Sequence, residues 1–261
     1  MSAKRVLILP GDGIGTEILA QTRRVLDWFV ARRGLAVNLR EELFGIPAFR
    51  AHGSLMRDAT WAEIEAADAI LFGATGSPEY DTLPVEAAEG HALMRMRVEL
   101  SLFINLRPVR ALAPLAAVSP LKQDVLGGTD FVIVRELTGG LYVGKPRGIE
   151  TVDGVRRGIN TMSYSEPEIE RIARAGFELA RSRGHKLCSV DKSNVLETSR
   201  LWREIVQALH DAEYGDVELS HLFVDNAAMQ IVRKPSQFDV LLTENLFGDI
   251  LSDIGAAVAG S

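Results

Sequence analysis

Apolar runs of two different periods alternate along the chain and predict an α/β protein. Short apolar runs of strand length occupy residues 5–9, 37–39, 68–72, 130–135, 187–190, 219–224 and 238–243. Between these runs apolar residues recur at helical spacing, as in residues 18–26, 61–67, 93–102, 166–183, 201–210 and 246–258. Because strands that alternate with helices build parallel or mixed sheets covered by helices, we expect that architecture here.

Glycine-rich loops follow several of the predicted strands, at the edge of a parallel sheet where α/β proteins bind ligands. Residues 10–15 read PGDGIG, but Thr16 stands where a dinucleotide fingerprint needs its third glycine, so we exclude a standard Rossmann fold. The loop glycines either bring the backbone close to a ligand or only form a tight turn with positive φ. Farther along the chain, Asp153 and Gly154 predict a two-residue hairpin turn, an antiparallel feature in the alternating pattern.

Composition narrows the class of protein. The chain has 261 residues, 47% of them hydrophobic, and a net charge of −6, which argues against a nucleic-acid surface. It has no apolar run of membrane-spanning length and no cleavage site near its N-terminus. With Cys188 as the one cysteine, no internal disulfide can form, so we expect a cytoplasmic protein that does not bind membranes.

Acidic side chains near the last helix indicate a site for a hard cation. Asp249 and Asp253 are four residues apart and share a helix face, where two like charges destabilise the helix unless something neutralises them. A divalent ion would do so, whereas the alternative is a solvated face near the helix N-terminus. The five histidines contain no zinc-binding pair, which favours Mg²⁺ or Mn²⁺ held by oxygens.

Cationic side chains also occur at predicted strand ends. Arg107, Arg135 and Lys192 stand there, together with Tyr142 and Asp225. Arginines bind carboxylates with two parallel hydrogen bonds, so the combination predicts a small anion chelated to a metal.

Five motifs make the chain resemble the isocitrate/isopropylmalate dehydrogenase family, metal-dependent enzymes that oxidise and decarboxylate 2-hydroxy acids. The motifs are LPGDGIG at 9–15, NLRP at 105–108, RELTGGLY at 135–142, VDKSNVL at 190–196 and NLFGDILSD at 245–253. The LTGG segment is similar to the isopropylmalate branch. The resemblance implies an isopropylmalate dehydrogenase-like two-domain α/β fold, with residues 1–102 as the cofactor-side domain, 103–259 as the second domain, and 260–261 beginning the return to the first.

The resemblance also implies roles for individual residues. Arg97, Arg107, Arg135, Leu93 and Asp225 would bind substrate; Ile14, Gly76 and Asn194 would bind NAD; Asp225, Asp249 and Asp253 would hold Mg²⁺ or Mn²⁺. Lys192 would be the base that deprotonates the C2 hydroxyl as hydride leaves for NAD⁺, and Tyr142 would help protonate the enol carbon. Lys192 and Asp225 would reach the site from the partner subunit of a homodimer, with an intersubunit arm near residues 143–165.

Two departures from the family pattern qualify this interpretation. The family continues beyond Ser261 into a histidine-glycine loop that cradles adenosine, so we expect much of the NAD site to be absent from these 261 residues. The substrate loop at 89–94 has Gly90 where the family has an acidic residue, although Leu93 and Met94 still form an apolar pocket.

The function implied by the resemblance is NAD-dependent oxidative decarboxylation of 3-isopropylmalate to 2-oxoisocaproate in leucine biosynthesis. A tartrate, malate or isocitrate dehydrogenase of the same family is one alternative. An inactive subunit that senses a dicarboxylate is another.

Overall fold

The computed structural model describes residues 3–83 and 92–260. The chain divides into two compact units, Met1–Leu100 and Ser101–Ser261. Within the described ranges, no helix combines the length and the apolar character needed to cross a bilayer.

The first unit is built on a parallel three-stranded sheet with strand order β2-β1-β3. Its strands are β1 (Lys4–Gly11), β2 (Val37–Glu41) and β3 (Ala69–Ala74). Its helices are α1 (Ile14–Arg33), α2 (Ile46–His52), α3 (Asp58–Ala66) and α4 (Ala92–Glu99), with a 3₁₀ turn at Pro78–Thr82. The core packs apolar residues of β1 against the loops and helices after β2 and β3, including Leu7, Leu9, Phe44, Ile64 and Met96. The loops that follow β1 and β3 therefore lie at the same sheet edge.

The second unit is built on a five-stranded sheet with order β4-β5-β10-β8-β9. The strands are β4 (Ile104–Arg110), β5 (Asp130–Glu136), β8 (Lys186–Asp191), β9 (Glu218–Phe223) and β10 (Val240–Thr243). Four of them run parallel, and β4 pairs antiparallel with β5 at one edge. Pro108 fits this edge position, because proline cannot donate a hydrogen bond within a central strand.

Helices cover both faces of this sheet. They are α5 (Gln123–Leu126), α6 (Glu166–Arg181), α7 (Glu197–Glu213), α8 (Val224–Arg233) and α9 (Asn245–Ala259), with 3₁₀ turns at Ala113–Val118, Gly140–Tyr142 and Pro235–Gln237. One core cluster joins α6 and α7 to the sheet through residues such as Phe177 and Trp202. The opposite cluster joins α8 and α9 to it through Ile231 and Leu251. Both clusters fix the carboxyl ends of β5, β8 and β10 relative to one another.

A two-stranded hairpin extends the second unit. Strands β6 (Gly148–Val152) and β7 (Val155–Ile159) pair antiparallel and are joined by Asp153 and Gly154, both with positive φ. The predicted hairpin turn is confirmed. The hairpin carries exposed apolar side chains at Ile149, Val152 and Val155.

Candidate functional site

Arg135 is the buried centre of a polar cluster at the carboxyl end of β5. Its side chain lies opposite Thr243 of the neighbouring strand β10, and the residue is only 3% exposed. The guanidinium donates from Nε and Nη2 to Asn245 Oδ1, at 3.0 and 2.7 Å, and from Nη1 to Asp249 Oδ1. Asn245 and Asp249 both lie on α9, so one arginine joins the end of β5 to the start of that helix.

Tyr142 and Asp249 complete this cluster. The phenol of Tyr142 donates to Asp249 Oδ2 at 2.6 Å, while its ring faces the Arg135 guanidinium. Burial raises the pKa of Asp249, but the hydrogen bond from Tyr142 and the charge of Arg135 outweigh it and hold that pKa below its usual value. The bond to Asp249, followed by burial, raises the pKa of Tyr142. At neutral pH the pair is therefore a carboxylate that accepts a hydrogen bond from a neutral phenol.

The start of α9 is fixed by a buried capping arrangement. Glu244 accepts from the backbone amides of Leu246 and Phe247, at 2.9 and 2.7 Å, and the amide of Asn245 donates to Tyr164 Oη at 3.0 Å. Side-chain caps of this kind satisfy the free amides of the first helical turn. The cap orients Asn245 and Asp249 toward Arg135.

Lys192 and Asp225 form a second polar pair. Lys192 follows β8, Asp225 lies in the first turn of α8, and Lys192 Nζ donates to Asp225 Oδ1 at 2.5 Å. The hydrogen bond from Lys192 lowers the pKa of Asp225, so this carboxylate is anionic. Both side chains are held by the ends of adjacent parallel strands, as β8 pairs with β9 and β9 leads directly into α8.

The other predicted residues of the second unit lie in more open positions. Arg107 is exposed on the edge strand β4 and donates to Asn105 Oδ1 at 2.8 Å; its charge contributes to lowering the pKa of Asp249. Asp253 is exposed one turn after Asp249 on α9, and Asn194 is exposed in the turn after β8.

The predicted cofactor residues Ile14 and Gly76 lie in the first unit, in the loops after β1 and β3. Ile14 begins α1 and is 60% exposed. Gly13 and Gly76 have φ of 49° and 146°, and a Cβ at either residue would meet no atom within 4 Å. The backbone is thus open where a ligand could approach, which fits a cofactor-binding loop.

The two predicted substrate residues of this unit are on α4. Leu93 packs against the core of the unit, and Arg97 Nη1 donates to Met94 Sδ at 3.6 Å. Residues 89–91, which include Gly90 of the predicted substrate loop, lie outside the described residues.

Carboxylates of the second unit suit a hard cation in their chemistry. Asp225 and Asp249 are both ionised, and carboxylate oxygens are the donors that Mg²⁺ and Mn²⁺ prefer. Across residues 3–83 and 92–260, no three His, Cys, Asp or Glu side chains form a group that could hold a metal ion. A cation held by Asp249 and Asp253 would need a further donor.

Asn245 and Tyr164 belong to the site, although the sequence analysis assigned them no role. Asn245 accepts two hydrogen bonds from Arg135 and donates from Nδ2 to Gly139 O at 3.1 Å. The available signal was its position at the first residue of the helix, directly after a strand, where a side chain faces the sheet edge.

Comparison with known proteins identifies the class. A family profile described as Isocitrate/isopropylmalate dehydrogenase matches residues 5–261. The 3-isopropylmalate dehydrogenase of Paramagnetospirillum magneticum is 53% identical over 100% of this chain, which covers 71% of that relative. The 3-isopropylmalate dehydrogenase 1 of Bradyrhizobium diazoefficiens is 55% identical over 98% of this chain, with 68% of that relative covered.

Similar solved structures belong to the same class of enzyme as these sequence relatives. Isocitrate dehydrogenase from Methylococcus capsulatus matches with a TM-score of 0.85 and 31% identity, covering 99% of this chain and 71% of that one. A β-decarboxylating dehydrogenase from Thermococcus kodakarensis matches with a TM-score of 0.72 and 33% identity over 99% and 69% of the two chains. By class the protein is a decarboxylating dehydrogenase. It belongs to the isocitrate/isopropylmalate dehydrogenase family, and the α/β fold of that type predicted from sequence is confirmed.

Proposed function

We propose that the protein catalyses the NAD-dependent, divalent-metal-dependent oxidative decarboxylation of 3-isopropylmalate to 2-oxoisocaproate in leucine biosynthesis. The observation that carries this proposal is the cluster of Arg135, Tyr142 and Asp249, which combines a buried cation, a neutral phenol and an ionised carboxylate at one sheet edge. The high identity to relatives named 3-isopropylmalate dehydrogenase supports the choice of substrate.

Arg135 and Arg107 are the proposed partners of the substrate carboxylates. Arg135 is held by Asn245, so its planar guanidinium presents a fixed orientation to an anion. Arg107 is exposed on the edge strand, where it would exchange its hydrogen bond to Asn105 for one to an incoming carboxylate. On the resemblance alone we also propose Leu93, Arg97 and Asp225 as substrate-binding residues.

Lys192 and Tyr142 are the proposed proton-transfer groups. When bound, a divalent cation would polarise the substrate oxygen, and NAD⁺ would accept the hydride from C2. Lys192 would take the proton of the C2 hydroxyl, and Tyr142, whose raised pKa keeps it protonated, would donate to the carbon that CO₂ leaves. We propose Asp225, Asp249 and Asp253 as metal ligands, and Ile14, Gly76 and Asn194 as NAD contacts.

A homodimer would supply Lys192 and Asp225 from the partner subunit, so that Asp225 joins Asp249 and Asp253 around the proposed metal. Exposed apolar side chains on α8 and α9, at Met229, Val232 and Ile250, support this proposal, because exposed apolar patches mark interaction surfaces. The hairpin β6–β7, with exposed Ile149, Val152 and Val155, offers a second contact region. The proposal also accounts for the absence of a three-ligand group among the described residues of one chain.

The reaction itself is tested by NADH absorbance with 3-isopropylmalate, Mn²⁺ and NAD⁺. We expect turnover by the wild-type protein and none by Lys192→Ala, with Mn²⁺ binding retained in that variant. The exposed Lys186→Ala, whose partner is Glu218 on the neighbouring strand, is a matched control that should retain full activity. Preference for malate, tartrate or isocitrate would contradict the substrate assignment, and full activity of Lys192→Ala would contradict the mechanism.

The shared site is tested by mixing inactive variants. The Lys192→Ala and Asp249→Asn variants are co-expressed. If the site is shared, each mixed dimer has one site that contains neither substitution and one site that contains both. If Lys192 acts across the interface, the random mixture regains about a quarter of wild-type activity. A mixture as inactive as the separate variants would refute the shared site.

A further inference from the structure

Asp12 is a buried carboxylate in the loop after β1, between Gly11 and Gly13. It is only 3% exposed. Its hydrogen-bond donors are neutral, namely two backbone amides and a phenol. A buried carboxylate is costly unless such donors satisfy it, so its position in a loop indicates a specific role.

The donors come from separate segments of the first unit. Oδ1 accepts from the amide of Ile46 at 2.7 Å, at the start of α2. Oδ2 accepts from the amide of Gly76 at 3.2 Å and from Tyr80 Oη at 2.8 Å. The amide of Asp12 itself donates to Ala74 O at 2.7 Å. One side chain thus joins the loops that follow all three strands of the sheet.

Gly45 and Tyr80, which lie next to the Asp12 carboxylate, both suit a buried acceptor. A Cβ on Gly45, which has φ of 73°, would lie 2.6 Å from Asp12 Oδ1, so only glycine fits there. Burial, and then the hydrogen bond to Asp12, raises the pKa of Tyr80, which therefore stays a donor throughout the physiological range.

The hydrogen bonds of Asp12 help to fix the backbone conformation of Gly76. Its φ of 146° is a conformation that essentially only glycine adopts, and such conformations persist only where neighbouring interactions fix them. The bond from its amide to Asp12 supplies one of these interactions. Loss of this bond would remove the contact that links Gly76 itself to the loop containing Gly13.

We propose that Asp12 is a positioning residue for the cofactor site, which holds the backbone of Gly76 open toward NAD. This inference rests on the proposed function, because the proposed function is what assigns NAD to these loops. Asp12 acts through Gly76 and Tyr80 and does not contact the cofactor. Since NAD(H) is anionic, an effect of Asp12 through charge alone would have the opposite sign, because removing a negative charge would tighten binding.

The test compares NADH affinity, measured by calorimetry, among isosteric variants. Asp12→Asn keeps the shape but replaces one acceptor oxygen with a donor NH₂, which cannot accept from the Gly76 or Ile46 amide. We expect NADH to bind about tenfold more weakly to it, and about threefold more weakly to Tyr80→Phe, which loses one hydrogen bond. Asp68→Asn is the matched control, because Asp68 accepts from the backbone amide of Arg5 at the other end of β1, and its NADH affinity should stay at the wild-type value.

Kinetics separate positioning from a general loss of stability. We expect the KM for NAD⁺ to rise in Asp12→Asn, with the KM for 3-isopropylmalate unchanged and with melting close to that of Asp68→Asn. Equal or tighter NADH binding by Asp12→Asn would overturn the positioning role and leave the proposed function intact. Failure of the wild-type protein, tested at its full natural length, to bind NADH would overturn both. If Asp12→Asn does not fold, Tyr80→Phe decides the matter, and an unchanged affinity in that variant would overturn the proposal.

Discussion

Gly248→Ala tests how closely α9 must approach β5 for the site to form. A Cβ at residue 248 would lie 2.6 Å from Cγ and 2.8 Å from Cβ of Arg135. Non-bonded carbon atoms prefer about 3.5–4.0 Å, so either the helix or the arginine must move. Arg135 is buried and hydrogen-bonded to Asn245, which leaves it little room to do so.

Two effects of opposite sign decide the result. Alanine favours a helix interior over glycine by about 1 kcal/mol. Against this, overpacking costs about 1–3 kcal/mol, and losing one hydrogen bond of the charged Arg135 costs a further 1.5–3 kcal/mol or so. We therefore expect Gly248→Ala to lower the free energy of unfolding by about 1.5–5 kcal/mol.

Urea unfolding of Gly248→Ala and Gly176→Ala measures this difference. Gly176 is also in a helix interior, but its added Cβ would meet only methyl carbons of Leu187 and Leu242 at 3.2 Å, which can shift. For Gly176→Ala we expect the free energy of unfolding to change by no more than about 1 kcal/mol, because the gain in helix propensity offsets the mild crowding. We also expect a kcat at least about tenfold lower in Gly248→Ala alone, because Asp249 is the next residue on the displaced helix. If Gly248→Ala is as stable and active as Gly176→Ala, the packing argument is wrong.

Further predictions concern Asp249 and the cap of α9. Asp249→Asn should weaken Mn²⁺ binding by calorimetry, and an unchanged affinity would remove Asp249 from the ligand set. Because the folded-state pKa of Asp249 is lowered, its contribution to stability is present above its usual pKa of 3.8 and is lost as pH falls through the folded value. Between about pH 6 and pH 3, the free energy of unfolding measured in urea should therefore fall less in Asp249→Asn than in wild type. An equal fall in the two proteins would contradict this. Glu244→Ala should lower the free energy of unfolding by about 1–3 kcal/mol, because two amides of α9 lose their acceptor, and wild-type stability in urea would refute the capping role.

The arrangement of strands and helices was largely predictable because each element has a clear period. The apolar run at 238–243 became β10, and the helical pattern from residue 246 became α9. Prediction failed where a period changes without a turn. Helix α8 was not predicted, because β9 runs directly into it at Val224 with no side-chain cap to mark the boundary. The antiparallel direction of β4 was also not predicted, since periodicity does not encode strand direction.

The apolar stripe on α9 shows a second limit of the sequence. Leu251 and Val258 are buried as members of that stripe, but Ile250 is 50% exposed. Hydrophobic periodicity identifies apolar residues without telling which partner covers them. Gly248, Ser252 and Gly255 are buried as well, because small side chains let the helix lie close to β4 and β5.

The carboxylate pair on α9 shows why site geometry needs tertiary contacts. Spacing alone left two alternatives for Asp249 and Asp253, a cation site or a solvated helix face. Asp249 matches neither alternative alone, because Arg135, 114 residues earlier in the chain, and Tyr142 already bind its two oxygens. Asp253 is exposed one turn further along the helix. Any cation bound by this pair must therefore share Asp249 with an arginine and a phenol, which couples metal binding to the groups proposed to hold substrate and donate the proton.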